Sequence, residues 1–445
     1  MEHPHLSRRV APRAAALAAI LGCLALAGCQ TTSAPAAPPA AASPAPAASS
    51  PPRAADAPPA QAQAPSPAPV AIAPVAPPPE TVAFDTAIER AASSLFSAAE
   101  KLPDVAPAPP RMVIIDPLID GNTAQRTVAS ESMGKKISDV IAARFGKFKV
   151  GPFRKDSLAA NPLLLVGTLT AINAAGNPAA RNDIYRICLA LVDVRSGKVV
   201  AKGLGRATEQ SVDATPLPYF RDTPTWVKDK ESDGYVRTCQ GTRAGDAADA
   251  LYLETLPTAM LVDEAIRAYN ERKFADAQRL YRTAVAMPGG EQKRVIAGLY
   301  VSSWRLRRTR DAEDAFGKIV VRGLEDRKLG VKFLFKPNST DFVPEADLRA
   351  QYALWTRVIA QRAAETNACL AVVGHTSRSG RDDLNDALSL KRAQVVQHAL
   401  ERRSAALRKR LSAQGAGSRE TIVGSGTDDL RDALDRRVEF RVSTC

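Results

Sequence analysis

The heptapeptide GHTSRSG, residues 374–380, is the key to the last quarter of this chain. Immediately before it, Cys369-Leu370-Ala371-Val372-Val373 is an apolar run of strand length, and Gly374-His375-Thr376 ends it. After it, Leu384, Leu388, Leu390, Ala393, Val396 and Leu400 recur near helical spacing. On its N-terminal side, VKFLF at 331–335 reads as a strand, followed by a polar loop. A helix then carries Leu348, Tyr352, Leu354, Trp355, Val358 and Ile359. Thr421-Ile422-Val423 and Val438-Glu439-Phe440-Arg441-Val442 read as two closing strands, which gives the order βαβαββ in an α+β domain.

Five short motifs in this region occur in a fixed order: Phe333-x-Phe335, Gly374-His375-Thr376, Asn385-x-x-Leu388-Ser389-x-x-Arg392-Ala393, Gly424-x-Gly426 and Arg436-Arg437-Val438-Glu439. Together they resemble the OmpA-like peptidoglycan-binding domain over residues 330–445. The resemblance implies noncovalent binding of the diaminopimelate of a peptidoglycan stem peptide, in a site that includes His375, Thr376 and Asn385. It also implies that Arg392 takes the ligand carboxylate and that an aspartate in the turn takes the ligand amine. A guanidinium suits the first role, because its planar fork of donors binds a carboxylate bidentately. The second role is altered. The turn position holds Ser377, with Arg378 after it. A charged hydrogen bond is worth about 1.5–3 kcal/mol and a neutral one about 1, so the change costs roughly tenfold in affinity. Asp382 or Asp383, at the start of the next helix, is the candidate replacement.

The other end of the chain gives the address. Arg8, Arg9 and Arg13 precede an uncharged apolar run at 14–27, too short to span a membrane and of the length of a secretory signal. Leu26-Ala27-Gly28-Cys29 resembles the lipobox of bacterial lipoproteins, which makes residues 1–28 the signal peptide and Cys29 the lipidated N-terminus; Cys23 is the rival position. Gln30 rather than aspartate comes next, which points to the outer membrane and its periplasmic face. Residues 29–110 read as the lipidated cysteine and a tether, largely Ala and Pro, with an amphipathic stretch at 81–102. The net charge of +13 would invite nucleic acid in the cytoplasm. After export it meets wall carboxylates and lipid phosphates instead.

Residues 111–255 have α/β punctuation, with strands at 112–115, 163–172, 184–194 and 198–203, and faintly resemble the periplasmic α/β domains of envelope-assembly lipoproteins. The polar stretch 213–250 reads as a long ordered excursion held by Cys239. Residues 256–326 turn helical, and Ala277 and Tyr281 recur as Ala312 and Phe316, an offset that resembles two degenerate tetratricopeptide repeats. Such a segment serves either as a spacer or as a peptide-binding groove. With Cys29 lipidated, the four cysteines that remain, Cys188, Cys239, Cys369 and Cys445, allow three pairings. Position along the chain points to Cys188–Cys239 and Cys369–Cys445, the latter if the last strand runs antiparallel beside 369–376.

Catalytic and cofactor chemistry finds no support. The mature chain has two histidines and no closely spaced cysteine pair, which leaves no zinc pattern and no cofactor. His375 and Ser377 are too close in sequence for a nucleophile and its base. The expectation is therefore a non-enzymatic outer-membrane lipoprotein that ties the envelope to peptidoglycan. The alternative is an assembly or regulatory lipoprotein whose middle domains bind protein partners. The lipobox generates a direct prediction: Cys29→Ser abolishes lipid labelling and membrane fractionation, and labelling that persists would point to Cys23 or to no lipid at all.

Overall fold

The computed structural model describes residues 78–445 apart from 103, 106–109, 178–183, 227, 367, 425, 427, 430 and 444. Cys29, the signal segment and the tether up to residue 77 lie outside the described residues. The described chain is α+β and is built on two sheets.

The first layer contains β1 (Thr81–Val82), α1 (Phe84–Ala99), β2 (Arg111–Ile115), β3 (Ile119–Asp120), α2 (Val128–Arg144), β4 (Phe148–Gly151), β5 (Leu163–Ile172), β6 (Ile184–Asp193) and β7 (Lys198–Thr208). The sheet order is β1-β7-β6-β5-β2-β4, with β3 added to β5. β5 is buried at every position because both faces of the sheet are covered. α1 and α2 cover one face. Gly203 and Gly205 let α1 lie directly on β7: a Cβ at these positions would come within 2.2 Å of the Ala91 carbonyl and 2.8 Å of the Ala87 carbonyl. The amphipathic stretch placed in the tether by its neighbours is thus part of the α/β layer. The other face is covered by α4 (Lys230–Gln240), reached through the short α3 (Pro218–Asp222). The polar excursion expected at 213–250 therefore contains two helices, α3 and α4, between its turns. Its polarity misleads because α4 buries only one side.

The helical segment comprises α5 (Ala250–Glu254), α6 (Leu256–Asn270), α7 (Phe274–Val285), α8 (Lys293–Arg305) and α9 (Thr309–Glu325). The two connections at the sequence offset are built alike. Arg272 and Arg307, in the connections α6–α7 and α8–α9, both take left-handed backbone, with φ of 63° and 59°. Lys273 N–H donates to Ala268 O and Arg308 N–H to Ser303 O in equivalent bonds. Ala277, Tyr281, Ala312 and Phe316 are all fully buried. Tyr219, from α3, fills the space against Tyr269 and Tyr281.

The last sheet has the order β10-β9-β11-β8, from β8 (Lys328–Val331), β9 (Cys369–Gly374), β10 (Leu411–Gly415) and β11 (Val438–Ser443), with α10 (Ala346–Glu365) and α11 (Asp382–Arg403) between them in sequence. Two strand expectations need correction. The first strand begins earlier than VKFLF and ends at Val331. The third is Leu411–Gly415, a parallel edge strand of small and polar residues, rather than 421–423. The backbone N–H groups of Ile422, Val423 and Gly424 instead donate to the buried carboxylate of Asp435, so that segment has no donors left for a ladder. β11 is antiparallel to β9, Ser443 lies opposite Cys369, and Cys369 is disulfide-bonded to Cys445. Cys188 of β6 and Cys239 of α4 also meet, as thiols with sulfurs 2.7 Å apart.

The helical segment and the last domain share one core. Trp355 of α10 stacks on Phe316 of α9, and its indole N–H donates to the Tyr300 hydroxyl of α8 at 2.7 Å. Lys332 ties the last domain to the end of α3. It is 4% exposed, and its ammonium donates to Phe220 O and to Thr223 Oγ1. Among the described residues no carboxylate is bonded to it, and burial pushes its pKa down to about 7. The folded state therefore holds fewer protons than the unfolded one between pH 7 and the ordinary lysine range, so stability rises with pH across that window. Lys332→Met should flatten this dependence and stabilise the chain below pH 7, by on the order of 3–5 kcal/mol. Thermal melts at several pH values check it; an unchanged slope would refute it.

Candidate functional site

The turn after β9 lies where three segments meet: residues 376–381, the N-terminal end of α11, and the loop that precedes β11. Thr376 is fixed by its backbone, whose N–H donates to Gly417 O at 2.9 Å. The Ser377 and Ser379 hydroxyls both donate to the carboxylate of Asp428, one to each oxygen. Arg436 Nη1 lies 3.3 Å from Asp428 Oδ1, and its Nη2 donates to Asp429 O at 3.0 Å. Asn385 holds the turn from the helix side, with Nδ2 donating to Ser379 O at 3.1 Å. Asp428 has φ of 57°, a left-handed conformation that aspartate tolerates better than most residues. Burial works against its charge, but the two hydroxyls and Arg436 outweigh it, so its carboxyl is held below the ordinary range and stays ionised.

A carboxylate therefore does stand at the serine-bearing turn, but it is neither of the two expected from the sequence. Asp382 and Asp383 are exposed at the start of α11; Asp383 is engaged by Arg381 at 2.9 and 3.0 Å, and Asp382 accepts a 3.4 Å contact from Ser418. Asp428 belongs to an Asp-Asp pair whose setting in a polar loop reads as solvated. Its pairing with Arg436 carries no signal in the sequence until the loop folds back on the turn.

Arg392 is not at the surface of this cluster. It is 1% exposed, lies over the Phe335 ring at 5.2 Å, and donates to three carbonyls: Ser339 O at 3.0 Å, Lys336 O at 3.0 Å and His375 O at 3.2 Å. Burial, and then the nearby Arg436, push its pKa down to about 10, so it remains a cation at neutral pH. In this structure it fastens the 336–341 loop to the end of β9. A ligand carboxylate could reach it only by displacing those bonds.

His375 faces away from the turn. It is fully buried, with Nε2 at 3.5 Å from Glu439 Oε1, and burial holds its pKa below the ordinary value. Glu420 also has a carboxylate oxygen within 4.8 Å of this pair, a spacing compatible with a metal ion. The electrostatics oppose one. Arg441 Nη2 donates to both glutamates, Arg437 lies 3.6 Å from Glu439, and Lys328 lies 4.0 Å away. A divalent cation would meet three positive side chains, so the cluster works as an ion-pair network. Arg378 is directed to another part of the chain, with Nη2 at 3.7 Å from Glu209 at the end of β7.

Because Arg392 bonds three carbonyls, its removal should act on folding before it acts on binding. Arg392→Ala is expected to cost about 2–4 kcal/mol of stability, from carbonyls left without donors. Urea unfolding measures this. A variant of parental stability would return Arg392 to the role of a free ligand group.

Residues 334–433 match the OmpA family model. The chain is 34% identical over 122 residues to YfiB of Escherichia coli (strain K12), named as a lipoprotein, and this covers 27% of this chain and 72% of that protein. Among solved structures it is similar to the peptidoglycan-associated lipoprotein from Burkholderia pseudomallei, at 22% identity, 27% of this chain, 92% of that chain and a TM-score of 0.22. It is also similar to the periplasmic domain of Helicobacter pylori MotB, at 22% identity, 26% of this chain, 74% of that chain and a TM-score of 0.22. The cell wall anchor of the T6SS from Pseudomonas aeruginosa matches at 19% identity, 29% of this chain, 97% of that chain and a TM-score of 0.23.

Proposed function

Since the chain belongs to the OmpA family through its C-terminal domain, we propose that this domain holds peptidoglycan noncovalently, through the diaminopimelate of a stem peptide, and that the chain is a lipoprotein tethering the outer membrane to the wall. The observation that carries this reading is the carboxylate at the turn after β9. A family position that has lost its carboxylate still has one within hydrogen-bond reach of its serine, supplied by Asp428. The charge expected of such a site is kept although the residue is not. The relative named as a lipoprotein supports the anchored half of the reading, together with Leu26-Ala27-Gly28-Cys29. The role is binding rather than catalysis. The groups around the pocket are ion pairs and hydrogen-bonded hydroxyls, and the nearest histidine, His375, is turned away toward Glu439.

A second reading, an assembly or regulatory lipoprotein that binds proteins through its middle domains, is favoured by a different feature. A cleft of about 660 Å³ opens where Asn122, Trp226, Lys293, Lys328 and Arg437 converge from the α/β layer, the helical segment and the last sheet. Clefts at such junctions are common ligand sites. Co-sedimentation with purified sacculi separates the two. The first reading expects the chain to pellet with the wall and to be displaced by soluble diaminopimelate-containing peptide. A chain that remains in the supernatant would leave the second.

A further inference from the structure

We propose that Cys188 and Cys239 form a second disulfide in the exported chain, one that closes before α4 settles on the sheet and is sealed once α4 is in place. The proposal rests on the export implied by the lipoprotein reading above and is independent of what the turn after β9 binds.

The fold brings the two cysteines together from separate elements. Cys188 is on β6, Cys239 is next to the last residue of α4, and they are 51 residues apart in sequence. The Cys239 thiol donates to the Cys188 sulfur at 2.7 Å, and Cys188 Sγ lies 2.6 Å from the Cys239 carbonyl oxygen. The sulfurs can therefore bond without backbone movement, a condition that most cysteine pairs fail. Other contacts hold α4 in this register without help from sulfur. The Tyr235 hydroxyl is bonded to both backbone groups of Gly167, and Gln240 Nε2 donates to Thr168 Oγ1 and Thr170 Oγ1 at 2.9 Å each. Among the described residues, the one group of three His, Cys, Asp or Glu side chains spaced for a metal ion is that around His375, so the pair is not part of a metal centre.

The surroundings make Cys188 the sulfur that reacts first. Arg186 lies two residues before it on β6, and Lys202 is its diagonal neighbour on β7, so both cations share its face of the sheet. In the folded chain they receive the C-terminal end of α4: Lys202 donates to Cys239 O, and Arg186 donates to Gln240 Oε1 at 2.7 Å. Cations suit a helix C-terminus. They also favour a thiolate: the Cys188 pKa is lowered by the Cys239 thiol and, against burial, by Lys202 and Arg186. The Cys188 thiolate attacks the disulfide of an oxidant, itself a protein or small-molecule disulfide, and expels one of its sulfurs as a thiolate. Cys239, deprotonated, then attacks the Cys188 sulfur of the mixed disulfide and expels the other. The chain gives up two protons and two electrons, and the oxidant's disulfide becomes a dithiol. This exchange needs room at Cys188. With α4 in place Cys188 is 2% exposed and Cys239 fully buried, which fixes the order: the bond closes while α4 is off the sheet. Cys369 is half-buried and Cys445 exposed, so the bond between them stays open to exchange in the folded chain.

The test uses the full chain, produced with its own signal segment and recovered from the envelope. Alkylation with N-ethylmaleimide in denaturant, without reductant, followed by peptide mass mapping should find Cys188 linked to Cys239 and Cys369 linked to Cys445. Alkylated Cys188 and Cys239 beside an intact Cys369–Cys445 bond would overturn the proposal and leave export standing. Alkylation of all four would overturn both. Dithiothreitol added to the folded chain should open Cys188–Cys239 at least about a hundredfold more slowly than Cys369–Cys445, because the attacking thiolate must wait for α4 to lift. In urea the difference should vanish; equal rates in the folded chain would overturn the sealing. Cys188→Ala, Cys239→Ala and the double variant should each melt roughly 5–10 °C below the parent, and all alike, since losing either sulfur removes the one bond. A double variant that loses the sum of the two single effects would show two packed thiols and no bond. The mapping and the reductant series use the unaltered chain, so they decide the matter even where a variant fails to fold.

Discussion

The indole of Trp355 locks the helical segment to the last domain. Its ring stacks on Phe316, its N–H is satisfied by Tyr300, and Tyr300 in turn donates to Gln351 at 2.8 Å. Two of these residues lie in the helical segment and two in the last domain. A buried indole without a hydrogen-bond partner is costly, so the two units cannot separate without exposing aromatic surface and orphaning a polar group. The sheet that carries the turn is thereby held against α8 and α9. The helical segment is structural support for the C-terminal domain as much as a unit in its own right. Lys332, just after β8, adds a second tie, from the last domain to Phe220 and Thr223 at the end of α3.

Much of this arrangement is legible in the order of residues, and what is not has identifiable causes. β5 and β6 are buried on both faces and read as apolar runs, so their limits in the sequence and in the fold nearly coincide. α11 is legible from Asn385, Leu388 and Arg392 at their spacing. β10 is invisible because an edge strand of Leu, Ser, Ala, Gln and Gly has no apolar run to find. Thr421-Ile422-Val423 imitates a strand because β-branched residues are only half of a strand; the other half is a free ladder of donors, and Asp435 claims them. α4 is hidden by its charged outer face.

The site divides in the same way. The turn, Asn385 and the departure at Ser377 can be seen in the linear order. The replacement carboxylate cannot, because Asp428 is 51 residues from Ser377 and reaches it only by the fold of a loop. Arg392 shows a second side of the same limit. A motif arginine reads as a ligand group, yet three carbonyls pointing at one position satisfy a guanidinium as well as a ligand would. Residue type shows what a side chain can bond; only burial shows which of those bonds is already made.

The bond between Cys369 and Cys445 bears on how the domain carries force. β9 runs from Cys369 toward the turn, and β11 runs from beside the turn, where Arg437 precedes it, back toward Cys445. The two strands that flank the turn are hydrogen-bonded along their length and covalently closed at the far end. A separation of the two strands that starts at the turn therefore ends at a covalent bond. The strands cannot peel apart bond by bond from the chain terminus, because the terminus is not free.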